Sequence, residues 1–119
     1  MKHLPREHQR AYITFYLRVF EGNGFLGFLI DISREGMKLL SDNILETGRE
    51  YLIRMKLPAS LEWKGRKDED RSIEFSAACQ WSKHDYIEKE FYISGFKFSN
   101  LGDEEQAIIH EMITAYRIP

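Results

Sequence analysis

The sequence predicts a mostly β domain, an antiparallel sheet closed on itself, followed by one C-terminal helix. Three observations predict it. Apolar and polar residues alternate with a period of two in the central segments, which is typical of half-buried strands. Short turns rich in glycine or polar residues separate these segments and favour antiparallel neighbours. After residue 102, apolar residues recur at the spacing of an α-helix. We expect the sheet to be closed, because a closed sheet has no exposed strand edges.

Composition limits the function to a few classes. The chain has 119 residues, 43% hydrophobic and 13% aromatic, which suits one domain with a core rather than a disordered regulator. Its formal net charge of −2 argues against a general surface for DNA or RNA. Cys79 is the single cysteine, so we expect neither a disulfide framework nor a thiolate zinc cluster. Without a signal-like or membrane-spanning apolar run, we expect a cytoplasmic protein that does not contact membranes.

The first part of the chain is expected to contain an arm and three strands. Residues 1–10 are polar and charged and have no apolar period, which indicates a mobile arm. Aromatic and β-branched residues favour strands, and glycine or asparagine favours turns. The predicted order is strand Tyr12–Phe20, turn Gly22–Gly24, strand Phe25–Ile30, turn Asp31–Gly36 and strand Met37–Leu40.

The second part predicts three more strands and the helix. Apolar residues at every second position predict strands, with Cys79 and Trp81 on the core-facing side of the clearest one. Asp103 and Gln106 resemble a capping box at a helix start. The predicted segments are strand Tyr51–Leu57, charged loop 59–71, strand Ile73–Trp81, strand Phe91–Phe98 and helix 103–117.

The helix has an apolar stripe, formed by Ile109, Met112, Ile113 and Tyr116. The stripe predicts that the helix packs over the sheet or plugs one end of it. Burial within one chain and partial sharing with a second copy both remain open, so the protein is expected to be a monomer or a homodimer.

Enzymatic and metal-binding motifs are not supported. The glycines at 22, 24 and 27 match G-x-G-x-x-G, but a strand follows them where a dinucleotide fold needs a helix, so a hairpin is the better interpretation. No serine elbow, P-loop or distinct carboxylate pair is present. The histidines are scattered, at His3, His8, His84 and His110. We therefore expect no enzyme activity, metal or cofactor.

Two short motifs indicate a binding site. Arg6 and Arg10 form R-x-x-x-R, and Asp31, Ser33 and Gly36 form D-x-S-x-x-G. Each has a simpler explanation, because arginine pairs are common on charged surfaces. Aspartate and serine also cap turns, and glycine can supply a positive φ between strands.

The two motifs together, in this order and in a small β domain, resemble the PilZ domain family. Two later segments add to the resemblance, Cys79-Gln80-Trp81 and Gly95–Leu101 with its Gly-x-x-Phe-x-x-Leu pattern. It implies one domain over residues 1–119, with a six-stranded antiparallel β-barrel over 11–100. It further implies binding of the bacterial second messenger cyclic di-GMP, with two arginines as the clamp and three residues as the floor: Arg6, Arg10, Asp31, Ser33 and Gly36.

The chemistry of these residues suits that ligand. A guanidinium can donate two hydrogen bonds to guanine O6 and N7, stack on the base, or bind a phosphate. Trp81 is expected to pack in the core rather than to flank a guanine. We expect the arm to close over the nucleotide and to signal to an unidentified partner protein in trans. The alternative is a PilZ-like interaction module that does not bind nucleotide.

Overall fold

The structure is a computed structural model that describes residues 17–58, 61 and 71–116. These residues form six strands and one helix, α1. Their bounds are β1 Leu17–Glu21, β2 Gly24–Ile32, β3 Gly36–Ser41, β4 Glu50–Lys56, β5 Ser72–His84, β6 Tyr92–Asn100 and α1 Asp103–Tyr116. The predicted arm, the start of the predicted first strand and most of the charged loop lie outside the described residues.

The strands form a closed antiparallel barrel in the order β1-β2-β3-β6-β5-β4, which confirms the predicted fold class. The pairing of β1 with β4 closes the barrel, with Val19 opposite Met55 and Glu21 opposite Ile53. Closure gives each strand two neighbours, so no strand of the barrel is left with a free edge. The predicted hairpin at Gly22 is confirmed as well, and its φ of 58° explains the glycine there.

The core lies inside the barrel, where the alternating residues of the strands point. In β4, Tyr51, Ile53 and Met55 are at most 2% exposed, whereas Leu52 between them is 60% exposed. In β5, Ala77 and Cys79 are fully buried. The period-two pattern therefore identified the inner face of β4, and that of β5 as far as Cys79, correctly.

Helix α1 packs against this core with three residues of the predicted stripe, Ile109, Met112 and Ile113, while the side chain of Tyr116 lies outside the described part of the structure. Ile109 and Met112 are 1% and 0% exposed, and both belong to the same apolar cluster as the inner faces of the strands. Ile108 is buried as well, so the buried face of the helix is wider than the stripe. These side chains are thus covered within one chain.

The helix start differs from the predicted capping box. The carbonyl oxygen of Gly102 accepts the backbone N–H of Gln106 at 3.0 Å, so Gly102 is the N-cap residue. Asp103 is already the first helical residue. The side-chain amide of Gln106 donates to the carbonyl of Leu101 at 3.4 Å. The acidic first turn still favours the helix because it faces the positive end of the helix dipole.

Two of the β-bulges in the barrel lie beside the residues of the predicted site. In the β2–β3 pairing the register shifts between Leu29 and Asp31, and in the β5–β6 pairing it shifts between Cys79 and Trp81. An extra residue in a strand reverses the faces of the residues that follow it. The bulges therefore decide where the side chains of Asp31 and Trp81 point.

Candidate functional site

The turn between β2 and β3 is shorter than the sequence predicts. Asp31 and Ile32 are the last residues of β2, and Gly36 is the first residue of β3, so the turn itself is Ser33–Glu35. The N–H of Ser33 donates to the carbonyl of Gly36 at 2.8 Å. The Ser33 hydroxyl oxygen also lies 3.3 Å from the N–H groups of Glu35 and Gly36, which donate to it. Ser33 thus has a structural role in holding the turn.

Asp31 does not hold the turn. The bulge after Leu29 directs its side chain outward, while Ile32 belongs to the core cluster. Asp31 is exposed and lies opposite Lys38 on β3, and its carboxylate makes no hydrogen bond or ion pair with another described residue. A carboxylate without an internal partner is available to accept hydrogen bonds from a ligand.

Gly36 is required for a reason other than the predicted one. Positive φ values occur, within the described ranges, at Gly22 and Gly48, and Gly36 has none. The expectation that Gly36 supplies a positive φ is therefore wrong. A Cβ atom at Gly36 would overlap the carbonyl oxygen of Phe96 on the neighbouring strand. Gly36 allows β3 to approach β6 closely beneath the turn.

We expect Gly36→Ala to destabilise the fold, because the overlap involves backbone atoms that cannot rotate away. The expected loss is about 1–3 kcal/mol in the free energy of unfolding, as for overpacking of a well-packed site. Urea denaturation monitored by circular dichroism measures it. Gly24→Ala is the matched control, since a Cβ there would lie at an ordinary 3.4 Å from the carbonyl of Glu21. Equal denaturation midpoints for the two variants would show that the β3–β6 approach is not tight.

Trp81 lies on the outer surface of the barrel, which corrects the predicted core position. The bulge between Cys79 and Trp81 reverses its face, so the indole covers Gly95 of β6 from outside. A Cβ at Gly95 would come within 2.5 Å of the indole ring, so a glycine is needed beneath Trp81. The ammonium of Lys83 lies 5.1 Å from the indole ring centroid, a cation–π arrangement. The half-buried indole ring of Trp81 therefore lies on the outer surface, beside the turn between β2 and β3.

The prediction that Cys79 is a buried core residue is confirmed. Cys79 is fully buried, and its burial raises the pKa of the thiol. A protonated thiol inside the barrel is a poor nucleophile, which argues against cysteine chemistry at this position.

The residues of the turn, β3, β5 and β6 enclose a shallow surface pocket of about 250 Å³. It brings together the three predicted residues of the second motif with several residues outside either motif. Its lining includes Asp31, Ser33, Glu35, Gly36, Lys38, Gln80, Trp81, Gly95 and Lys97. The alternation of buried and exposed residues could have predicted that Lys38 and Lys97 point outward. The outward position of Trp81 could not be predicted in this way, because a β-bulge changes its face.

A larger pocket of about 610 Å³ lies on the other side of the turn, against α1. Arg34 and His110 line it together with Asp103 and Gln106. The guanidinium of Arg34 lies 3.3 Å from Nδ1 of His110. Because a guanidinium has no acceptor, Nδ1 must accept this hydrogen bond. The contact connects the motif turn to the helix, but the pocket contains none of the predicted ligand residues.

Arg6 and Arg10 lie outside the described residues, so their placement stays a prediction. In the described ranges, no three histidine, cysteine, aspartate or glutamate side chains are arranged to hold a metal ion. Within those same ranges, no helix has the length and apolar character needed to cross a bilayer.

Comparisons with known proteins agree with this architecture. Among solved structures, the Bacillus subtilis inhibitor of motility MotI (DgrA) is similar at a TM-score of 0.61 and 18% identity, covering 83% of this chain and 44% of that chain. The Borreliella burgdorferi PlzA protein in complex with cyclic di-GMP is similar at a TM-score of 0.50 and 15% identity, covering 92% of this chain and 54% of that chain. The chain thus spans about half the length of both proteins, and such identities show the fold.

A search of curated proteins finds no match. The model of the PilZ domain matches residues 5–115, which is most of the chain. The match includes both arginines of the first motif and the whole of the second. The protein belongs to the PilZ domain family.

Proposed function

We propose that this chain is a receptor for cyclic di-GMP and not an enzyme. The ligand binds on the floor formed by Asp31, Ser33 and Gly36, and Arg6 and Arg10 clamp it from the N-terminal arm. Closure of residues 1–10 over the nucleotide changes the surface of the domain, and a partner protein in trans reads that change.

The carboxylate of Asp31, which has no partner among the described residues, carries the proposal. Ser33 and Gly36 have structural reasons to be present, since one holds the turn and the other permits the β3–β6 contact. Asp31 has no such role among the described residues, yet a bulge directs it into the pocket. The N–H donors on the edge of guanine suit a carboxylate acceptor at this position.

The size of the pocket supports a role for the arm. Small-molecule sites usually enclose about 300–1,000 Å³ and bury most of their ligand. The described floor encloses about 250 Å³ and is open to solvent. A dinucleotide on this floor would leave much of its surface exposed. A second wall bearing Arg6 and Arg10 would cover it and supply charge opposite the phosphates.

The two similar structures support the choice of ligand and the mode of action. PlzA was solved in complex with cyclic di-GMP, and MotI is an inhibitor of motility. We propose the same ligand for this chain, and control of another protein as its output.

Isothermal titration with cyclic di-GMP tests the proposal. We expect the parent protein to bind, and to discriminate against cyclic di-AMP, because adenine presents a donor where guanine presents O6. Asp31→Ala is expected to weaken binding by roughly ten- to a hundredfold, as for a lost specific base contact. The thermal midpoint of unfolding should stay unchanged, since Asp31 supports no turn.

The matched control is Glu90→Ala, which removes an exposed carboxylate from the β5–β6 turn and should bind like the parent. Absence of heat and of any ligand-induced thermal shift in the parent protein would overturn the receptor proposal. The interaction module without nucleotide would then be the better description.

A further inference from the structure

We infer that Lys38 and Lys97 are further ligand-binding residues, which neutralise the phosphates of the anionic dinucleotide on the barrel surface. This inference rests on the proposed function and deepens it. Neither lysine is part of the R-x-x-x-R or D-x-S-x-x-G motif. Both are exposed, and both line the pocket with Asp31.

The register of the sheet places the two lysines on the same outer face. Lys38 lies between the buried residues Met37 and Leu39, and Lys97 follows the buried Phe96, so both lysines point away from the core. Lys38 pairs with Gly95, two residues before Lys97 on β6. The lysines are therefore diagonal neighbours, and such residues lie roughly 7–8 Å apart on one face of a sheet.

Glycines occupy the positions beside these lysines and keep the surface between them open. Gly95 is the partner of Lys38, and Gly36 is the partner of Lys97. Both glycines are required by close contacts, with Trp81 above Gly95 and β6 against Gly36. The two lysines thus flank a part of the sheet that lacks side-chain bulk, and Trp81 lines the same pocket.

The ammonium groups have no counterion among the residues that the structure describes. Neither lysine forms an ion pair or hydrogen bond with another described residue, and Asp31 opposite Lys38 makes no such contact either. Like charges on diagonal neighbours repel each other modestly. An anionic ligand between them would convert this repulsion into attraction.

The charge balance of the floor gives the lysines a reason to be present. Asp31 and Glu35 would repel a ligand with two phosphates if no cation lay beside them. Lys38 and Lys97 bring the formal charge of these four lining side chains to zero. Asp31 can then accept hydrogen bonds from guanine without the pocket repelling the two phosphates of the same ligand.

The test compares Lys38→Gln, Lys97→Gln and the double variant with the parent by titration of cyclic di-GMP at several salt concentrations. We expect each substitution to weaken binding about three- to tenfold, as for a charged contact with partial solvent screening. The double variant should also lose part of the salt dependence of the parent, because fewer screened charge pairs remain. Lys38→Arg and Lys97→Arg should restore most of the affinity, since they keep the charge.

Lys89→Gln is the matched control. It removes the same charge from an exposed position in the β5–β6 turn, outside the pocket lining, and should bind within about twofold of the parent. Parental affinity and salt dependence in the double variant would overturn the inference and leave the receptor proposal standing. A parent protein that does not bind cyclic di-GMP at all would overturn both.

Discussion

The double substitution Arg6→Ala, Arg10→Ala is expected to abolish measurable binding of cyclic di-GMP at micromolar protein. Each arginine is assigned a bidentate or phosphate contact, and a good bidentate contact to guanine is worth about 1–3 kcal/mol. If the two losses add, affinity decreases by about 2–6 kcal/mol, which is roughly thirtyfold or more. The same isothermal titration measures it, with each single variant alongside the double one.

Arg18→Ala is the control for this prediction, since it removes an exposed arginine of β1 that does not line the pocket. Hydrogen exchange of residues 1–10 provides a second readout. We expect slower exchange in the saturated parent and no change in the double variant. Undiminished binding by the double variant would remove the arm from the mechanism and leave the floor as the whole site.

Met112→Ala is expected to produce the largest loss of stability. Met112 is fully buried in the cluster that joins α1 to the inner faces of the strands. Truncation of a buried methionine costs about 2–5 kcal/mol, a large fraction of the roughly 5–15 kcal/mol that stabilises a typical domain. Denaturation by urea, followed by circular dichroism, gives the difference in the free energy of unfolding.

Thr114→Ala is the control on the same helix. Thr114 is exposed, its hydroxyl donates back to the carbonyl of His110 at 3.0 Å, and its removal should change stability by no more than about 0.5 kcal/mol. A Met112→Ala variant with the parental denaturation midpoint would mean that α1 is not part of the barrel core.

Much of the fold was predictable because burial in a sheet leaves a period of two. The inner face of β4, the inner face of β5 as far as Cys79, and the buried Ile109 and Met112 of α1 follow directly from apolar spacing. Closure of the barrel was also predicted correctly. The prediction rested on the unpaired backbone groups at the free edges of an open sheet, which can pair with other chains. The pairing of β1 with β4 could not be predicted from the sequence, because a contact between distant segments leaves no periodic pattern in either segment.

The candidate site was predictable in part. The motif identified Asp31, Ser33 and Gly36, and the structure brings all three to one pocket. Their separate roles could not be inferred, because serine and aspartate are equally common in turns. The hydrogen bonds of the turn assign Ser33 to the fold and leave Asp31 available to a ligand.

The sequence by itself determined the residue types of the site, the alternation that builds the barrel, and the family. The tertiary structure alone decided which face several of those residues occupy. One extra residue in β2 and one in β5 reverse the alternation, so Asp31 and Trp81 point outward where a strict period of two would place them inside. A bulge depends on the register between two strands, and that register is a property of the pair rather than of either segment.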